Sequence, residues 1–144
     1  MTQPPHEPAL RVQRFFETLS PQRLAAMGEI YADAARFKDP FNEVQGVAAI
    51  RAIFEHMYRE LGDPRFEVTA VVGAGDQAFL TWDFRFRHPR LSGEQLIRGA
   101  THLRFDADGR VSLHRDYWDA AEELYEKLPM IGTLMRLLRR RAAA

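Results

Sequence analysis

Two places along the chain bring together residue types able to move protons. The first is Asp39, in the segment YADAARFKDPFNEVQG that runs from Tyr31 to Gly46. It follows Phe37 and Lys38, precedes Pro40, and stands just ahead of an amphipathic helix. Proline keeps the residue before it extended, which suits a carboxylate at the mouth of a pocket, where it is a candidate general base. Asp-Pro is equally ordinary turn chemistry, in which Asp39 starts a turn and is solvated. The second place is the pair His114 and Asp116. Residues two apart on a strand share a face, so Ser112, His114, Asp116 and Trp118 point one way and Val111, Leu113, Arg115 and Tyr117 the other. With the first set inward, the carboxylate orients the imidazole and the two form an acid/base unit. With the apolar set inward, both are solvated, and alternation by itself does not choose. One His-x-Asp pair lacks the third ligand of a catalytic metal site, so neither metal nor cofactor is expected.

The elements that must position these residues follow from the apolar periodicity. Leu10, Val12, Phe15, Phe16 and Leu19 predict a first helix, and Ser20-Pro21 a cap for a second whose stripe is Leu24, Met27, Ile30 and Tyr31. A third helix is predicted from Val47 to Leu61, with Ile50, Ile53, Phe54, Met57 and Leu61 on one face and Gly62 as its stop. From Phe66 the period changes to two. Phe66, Val68, Ala70 and Val72 form one inward row; Leu80, Trp82, Phe84 and Phe86 the next; Ile97, Gly99, Thr101, Leu103 and Phe105 a third. Asp108-Gly109 marks a hairpin turn into the strand from Arg110 to Asp119. Helices first and antiparallel strands second make an α+β domain with helices on one face of a curved sheet.

Composition bounds the function classes. Among 144 residues, 46% are hydrophobic, which excludes global disorder, and the length suits one domain. Lys plus Arg equals Asp plus Glu at 20 each, so no global field favours nucleic acid. Zero cysteines remove disulfides and thiolate chemistry and suit a reducing compartment. Residues 1–8, MTQPPHEP, read as a disordered tail and neither as signal peptide nor membrane span. A soluble cytoplasmic protein is expected, with residues 9–128 forming the domain.

YADAARFKDP, Gly46 opening a helix, RFDADGRV and DYW together resemble the nuclear transport factor 2-like superfamily, and within it the SnoaL-like and ketosteroid isomerase branch. The resemblance spans roughly residues 10–120. It implies a cone-shaped α+β barrel, three helices closing a bent antiparallel sheet over a deep apolar pocket, often as a homodimer. It also implies that Trp118 lines the pocket, which turns His114 and Asp116 inward as the acid/base pair. Phe54, Trp82, Phe84 and Phe86 would supply apolar walls. Asp39 stands where the isomerases keep their base. Those enzymes pair it with an oxyanion hole of a tyrosine and a protonated aspartate, whose places here fall to Phe15 and Thr101. Neither replaces the acid donor, so efficient ketosteroid isomerisation is not expected.

The resemblance thus implies a pocket for a small apolar organic molecule. One reading is cofactor-free isomerase, cyclase or dehydratase chemistry; the other is a non-catalytic binding or dimeric interaction module, since one fold carries many functions. A homodimer is expected through the outer sheet face bearing His102, Leu113 and Tyr117. His56 is expected at the surface or its boundary, His88 in a turn, His6 in the tail, and the Tyr31 and Tyr58 hydroxyls in solvent. Residues 129–144 read as a basic amphipathic helix, with Ile131, Leu134, Met135 and Leu138 in one stripe and Arg136, Arg139, Arg140 and Arg141 beside it. That helix either packs on the barrel or makes weak contact with an anionic membrane surface.

Overall fold

The first helix, α1 (Glu7–Glu17), starts where His6 accepts a hydrogen bond on Nδ1 from the Ala9 amide, at 3.2 Å. The computed structural model describes residues 4–123, 137–138 and 140–142. The ring of His6 also reaches the Gly75 carbonyl at 2.9 Å and packs on Phe105. Residues 6–8 therefore belong to the folded domain and not to a tail. Ala9, Val12, Phe15 and Phe16 recur at helical spacing and are buried.

The second predicted helix is shorter than its stripe suggests. A 3-10 helix, Gln22–Ala26, runs into the one-turn α2 (Met27–Ile30). Tyr31 then opens a strand, β1 (Tyr31–Lys38), that the alanine-rich sequence does not announce. Its register explains it. β1 lies between β2 (Glu43–Gln45), with which it pairs antiparallel, and β6 (Val111–Tyr117), with which it pairs parallel. Burial of Tyr31, Ala35 and Phe37 on one face overrides local propensity. α3 (Val47–Glu60) opens at Gly46, whose φ of 98° favours glycine, and buries Ile50 and Phe54.

β3 (Gly62–Ala74), β4 (Gln77–Arg87) and β5 (Gln95–Phe105) complete one sheet in the order β2-β1-β6-β5-β4-β3. α3 touches both β1 and β3, far apart in that order, so the sheet curves around the helices without closing. A short helix, α4 (Ala120–Glu123), follows β6 and is held to β5 by Arg98, whose guanidinium meets Glu123 at 2.9 Å. Among the described residues no helix is long and apolar enough to cross a membrane. Ile131, Leu134, Met135, Arg136 and Arg139 lie outside the described residues; Leu138, Arg140 and Arg141 are described and exposed.

Two bulges correct the alternation read from the sequence. Val68 faces Trp82 and Ala70 faces Thr81, so Thr69 is an extra residue in β3. The parity flips there: Val71 turns inward and Val72 is 64% exposed. In β6, Leu113 faces Arg104 and Val111 faces Phe105, which makes Ser112 the extra residue. Val111 therefore joins the core although it belongs to the opposite row from His114.

Candidate active site

A cavity of about 500 Å³ opens between α3 and the concave sheet. Phe54, Trp82, Phe84, Phe86 and Trp118 border it, together with Thr101, His114, Asp116 and Asp39. Phe15 does not: it is buried in the core, and Arg23 lies over its ring at 5.7 Å. The next residue on α1, Phe16, faces the cavity and meets His114 edge-on at 5.6 Å. One helical position is a rotation of 100°, so a gapless match to a relative cannot tell these neighbours apart.

Trp82, Thr101, Asp116 and His114 on the wall form one connected chain that ends at Tyr31. Trp82 Nε1–H donates to Thr101 Oγ1 at 2.8 Å, and Thr101 donates to Asp116 Oδ1 at 2.6 Å. His114 Nε2 lies 2.7 Å from the same oxygen, and His114 Nδ1 lies 2.8 Å from the Tyr31 hydroxyl. A carboxylate only accepts, so with Asp116 ionised the neutral ring carries its proton on Nε2 and Nδ1 accepts from Tyr31 O–H. Every donor in the chain is thereby used. Asp116 Oδ2 makes no hydrogen bond among the described residues and is not sealed from solvent. The Asp116 side chain is 17% exposed, against 5% for His114.

Tyr31 is the participant that sequence reasoning missed. Its hydroxyl is not in solvent: the residue is fully buried, stacked near-parallel to His114. Burial first, and the nearby Asp116 carboxylate second, push its pKa well above the ordinary tyrosine value. It therefore stays a neutral donor. The missed signal was the strand itself, which carries Tyr31, Ala35 and Phe37 on one face. Tyr58 is corrected in the same sense. Its hydroxyl is buried without a partner among the described residues, and burial raises its pKa. His56 is exposed on α3 and His88 follows β4, and both border the cavity mouth with Arg90. His102 lies on the outer face, stacked on Phe79 and bonded to Gln77; burial first, then Arg104 and Arg115, lower its pKa.

Asp39 sits at the rim, half-buried, and its carboxylate builds a turn. Oδ1 accepts from the amides of Phe41 and Asn42 at 2.8 and 2.6 Å, and the Asn42 side-chain amide reaches both oxygens at 3.1 Å. The turn presents Phe41 edge-on to Trp118, ring centroids 5.6 Å apart, at the cavity mouth. Asp39→Asn retains an acceptor at Oδ1 and is expected to stay within about 0.5 kcal/mol of the parent. Asp39→Ala removes it and is expected to lose about 1–2 kcal/mol; urea denaturation checks both.

Trp82 reaches Thr101 because its neighbour across the strands is Gly99. A Cβ at Gly99 would stand 2.4 Å from the indole ring, so only glycine lets the indole lie against β5. No cluster of three or more His, Cys, Asp or Glu side chains able to hold a metal occurs among the described residues.

With this geometry in view, the chain is similar in fold to several solved structures. A protein of ketosteroid isomerase-like fold from Catenulispora acidiphila, in complex with trimethylamine, superposes with a TM-score of 0.72 at 17% identity, covering 85% of this chain and 94% of that one. An LEH-like epoxide hydrolase of M. tuberculosis gives 0.69 at 16% identity, covering 92% and 96%. A protein from Shewanella putrefaciens assigned as a SnoaL-like polyketide cyclase gives 0.72 at 16%, covering 86% and 97%. No curated protein matches the sequence. The profile of the SnoaL-like domain matches residues 12–114, well over half of the chain, and the chain belongs to that family.

Proposed function

We propose that this protein binds a small apolar organic molecule in its cavity and performs cofactor-free acid/base chemistry on it, of the isomerase, cyclase or dehydratase kind. Asp116 exchanges the proton. The observation that carries this reading is one carboxylate oxygen, Asp116 Oδ2, left without a donor among the described residues and set beside an aromatic cavity. A base must come within hydrogen-bond reach of the proton it takes, and Oδ2 is the atom in the chain still able to accept one. His114 supports Asp116 from behind, because both its ring nitrogens are occupied. Asp39 contributes the rim of the cavity. Family resemblance supports the reading at the level of fold and pocket chemistry; the neighbours named as a polyketide cyclase and an epoxide hydrolase suggest which substrates to try first.

Mass spectrometry of small molecules retained by the purified protein, followed by turnover assays on the classes found, tests this directly. Retention of an apolar molecule whose proton exchange depends on Asp116 is the expected result. A β,γ-unsaturated ketosteroid is expected to turn over poorly, because Thr101 spends its proton on Asp116 and one missing oxyanion donor costs roughly 10²–10³-fold. The second reading, a non-catalytic binding module, is favoured by the internal satisfaction of the Trp82-to-Tyr31 chain; ligand retention without any turnover would establish it.

The outer sheet face, where Phe79 and Tyr117 are about half exposed, is proposed to dock a second copy of the chain. Such apolar exposure commonly marks an interface. Sedimentation at micromolar concentration should show a dimer; a monomer rejects this proposal.

A further inference from the structure

The electrostatic character of the cavity narrows its ligand further. Chemistry that builds negative charge on a substrate oxygen needs donors aimed at that oxygen. Here the four donors of the hydrogen-bond chain are consumed within it: Trp82 N–H by Thr101, Thr101 O–H and His114 Nε2–H by Asp116, and Tyr31 O–H by His114. An oxyanion beside Asp116 would meet a carboxylate, with these four donors already engaged.

Positive charge meets the opposite environment. Phe16, Phe54, Phe66, Trp82, Phe84 and Phe86 line the cavity, and aromatic faces attract cations through the ring quadrupole. Asp116 supplies a carboxylate with an unoccupied oxygen. Of the ionised side chains on the wall, Asp39, Glu60 and Asp116 are acidic and Arg90 is basic, with His56 and His88 at the mouth. A ligand that covers Asp116 Oδ2 withdraws it from water, which is costly without a partner, and an organic cation would supply that partner.

We infer that the cavity is complementary to positive charge: its ligand class is an apolar molecule that carries, or develops during reaction, a cationic centre beside Asp116. This deepens the proposed function and rests on it for the reaction, though the binding preference stands without turnover.

The test compares three probes by isothermal titration calorimetry on the full-length protein. They are choline, its neutral isostere 3,3-dimethylbutan-1-ol, and the oxyanion 4-nitrophenolate. Choline is expected to bind about tenfold or more tighter than the isostere, as a desolvated cation–π contact with a carboxylate allows. Asp116→Asn should lose most of that ratio. Equal binding of choline and the alcohol, tighter binding of the phenolate, or no choline binding at millimolar concentration overturns the inference. Should choline bind selectively while no substrate is ever turned over, the catalytic reading fails and the cation preference stands. Turnover dependent on Asp116 without cation preference overturns the inference and leaves the catalytic reading standing.

Discussion

Asp116→Asn is expected to lower any proton-transfer turnover by about 10²–10⁴-fold, the range a positioned acid/base group contributes, while leaving the fold intact. The amide keeps an oxygen at Oδ1, where Thr101 and His114 donate. What it lacks is a site that accepts a proton. His114 cannot take over, because Nδ1 is filled by Tyr31 and Nε2 carries the proton that bonds to residue 116. Asp116→Ala should behave differently. It strands the Thr101 hydroxyl and the His114 N–H in a buried setting, at about 1–3 kcal/mol for each orphaned group. Urea denaturation alongside turnover separates the two effects. An asparagine variant that keeps turnover within a few-fold of the parent would remove Asp116 from the mechanism.

Phe37→Ala should be among the most destabilising substitutions bordering the cavity, costing about 3–5 kcal/mol. Phe37 is 2% exposed on β1, and its ring packs against Phe54 and, at 4.7 Å, against His114. Its removal enlarges the existing cavity, so little collapse can offset the lost contacts. Domains of this kind are stable by only about 5–15 kcal/mol in all, so a large drop in the urea midpoint is expected. The same change frees the His114 ring to tilt. A loss below about 1 kcal/mol would mean that the ring is not packed as described.

Much of this protein could be read along the chain, and the reasons are local. A period of 3.6 in Val12, Phe15 and Phe16, and again in Ile50 and Phe54, reports helices that each bury one face. A period of two from Leu80 to Phe86 reports a strand with one face inward. Turn chemistry at Asp108-Gly109 is written in two residues, and Gly109 adopts the φ of 77° such a turn needs. His114, Asp116 and Trp118 could be placed on one face because residues two apart on an unbroken strand point the same way.

Tertiary structure decided the rest, because the deciding contacts join residues far apart in sequence. β1 exists through its pairing with β6, some eighty residues away, and no local propensity marks it. Tyr31 became the end of a hydrogen-bond chain by that same pairing. The bulges at Thr69 and Ser112 depend on how a neighbouring strand sets its register, so alternation sent Val72 inward and, with His114 turned inward, Val111 outward. Asp39 is the exception. Its sequence context permitted both a base and a turn, and it forms the local turn, with Phe41 and Asn42, two and three residues on, donating to its carboxylate. The free oxygen instead belongs to Asp116, and only the convergence of Thr101 and His114 on the other oxygen makes that visible.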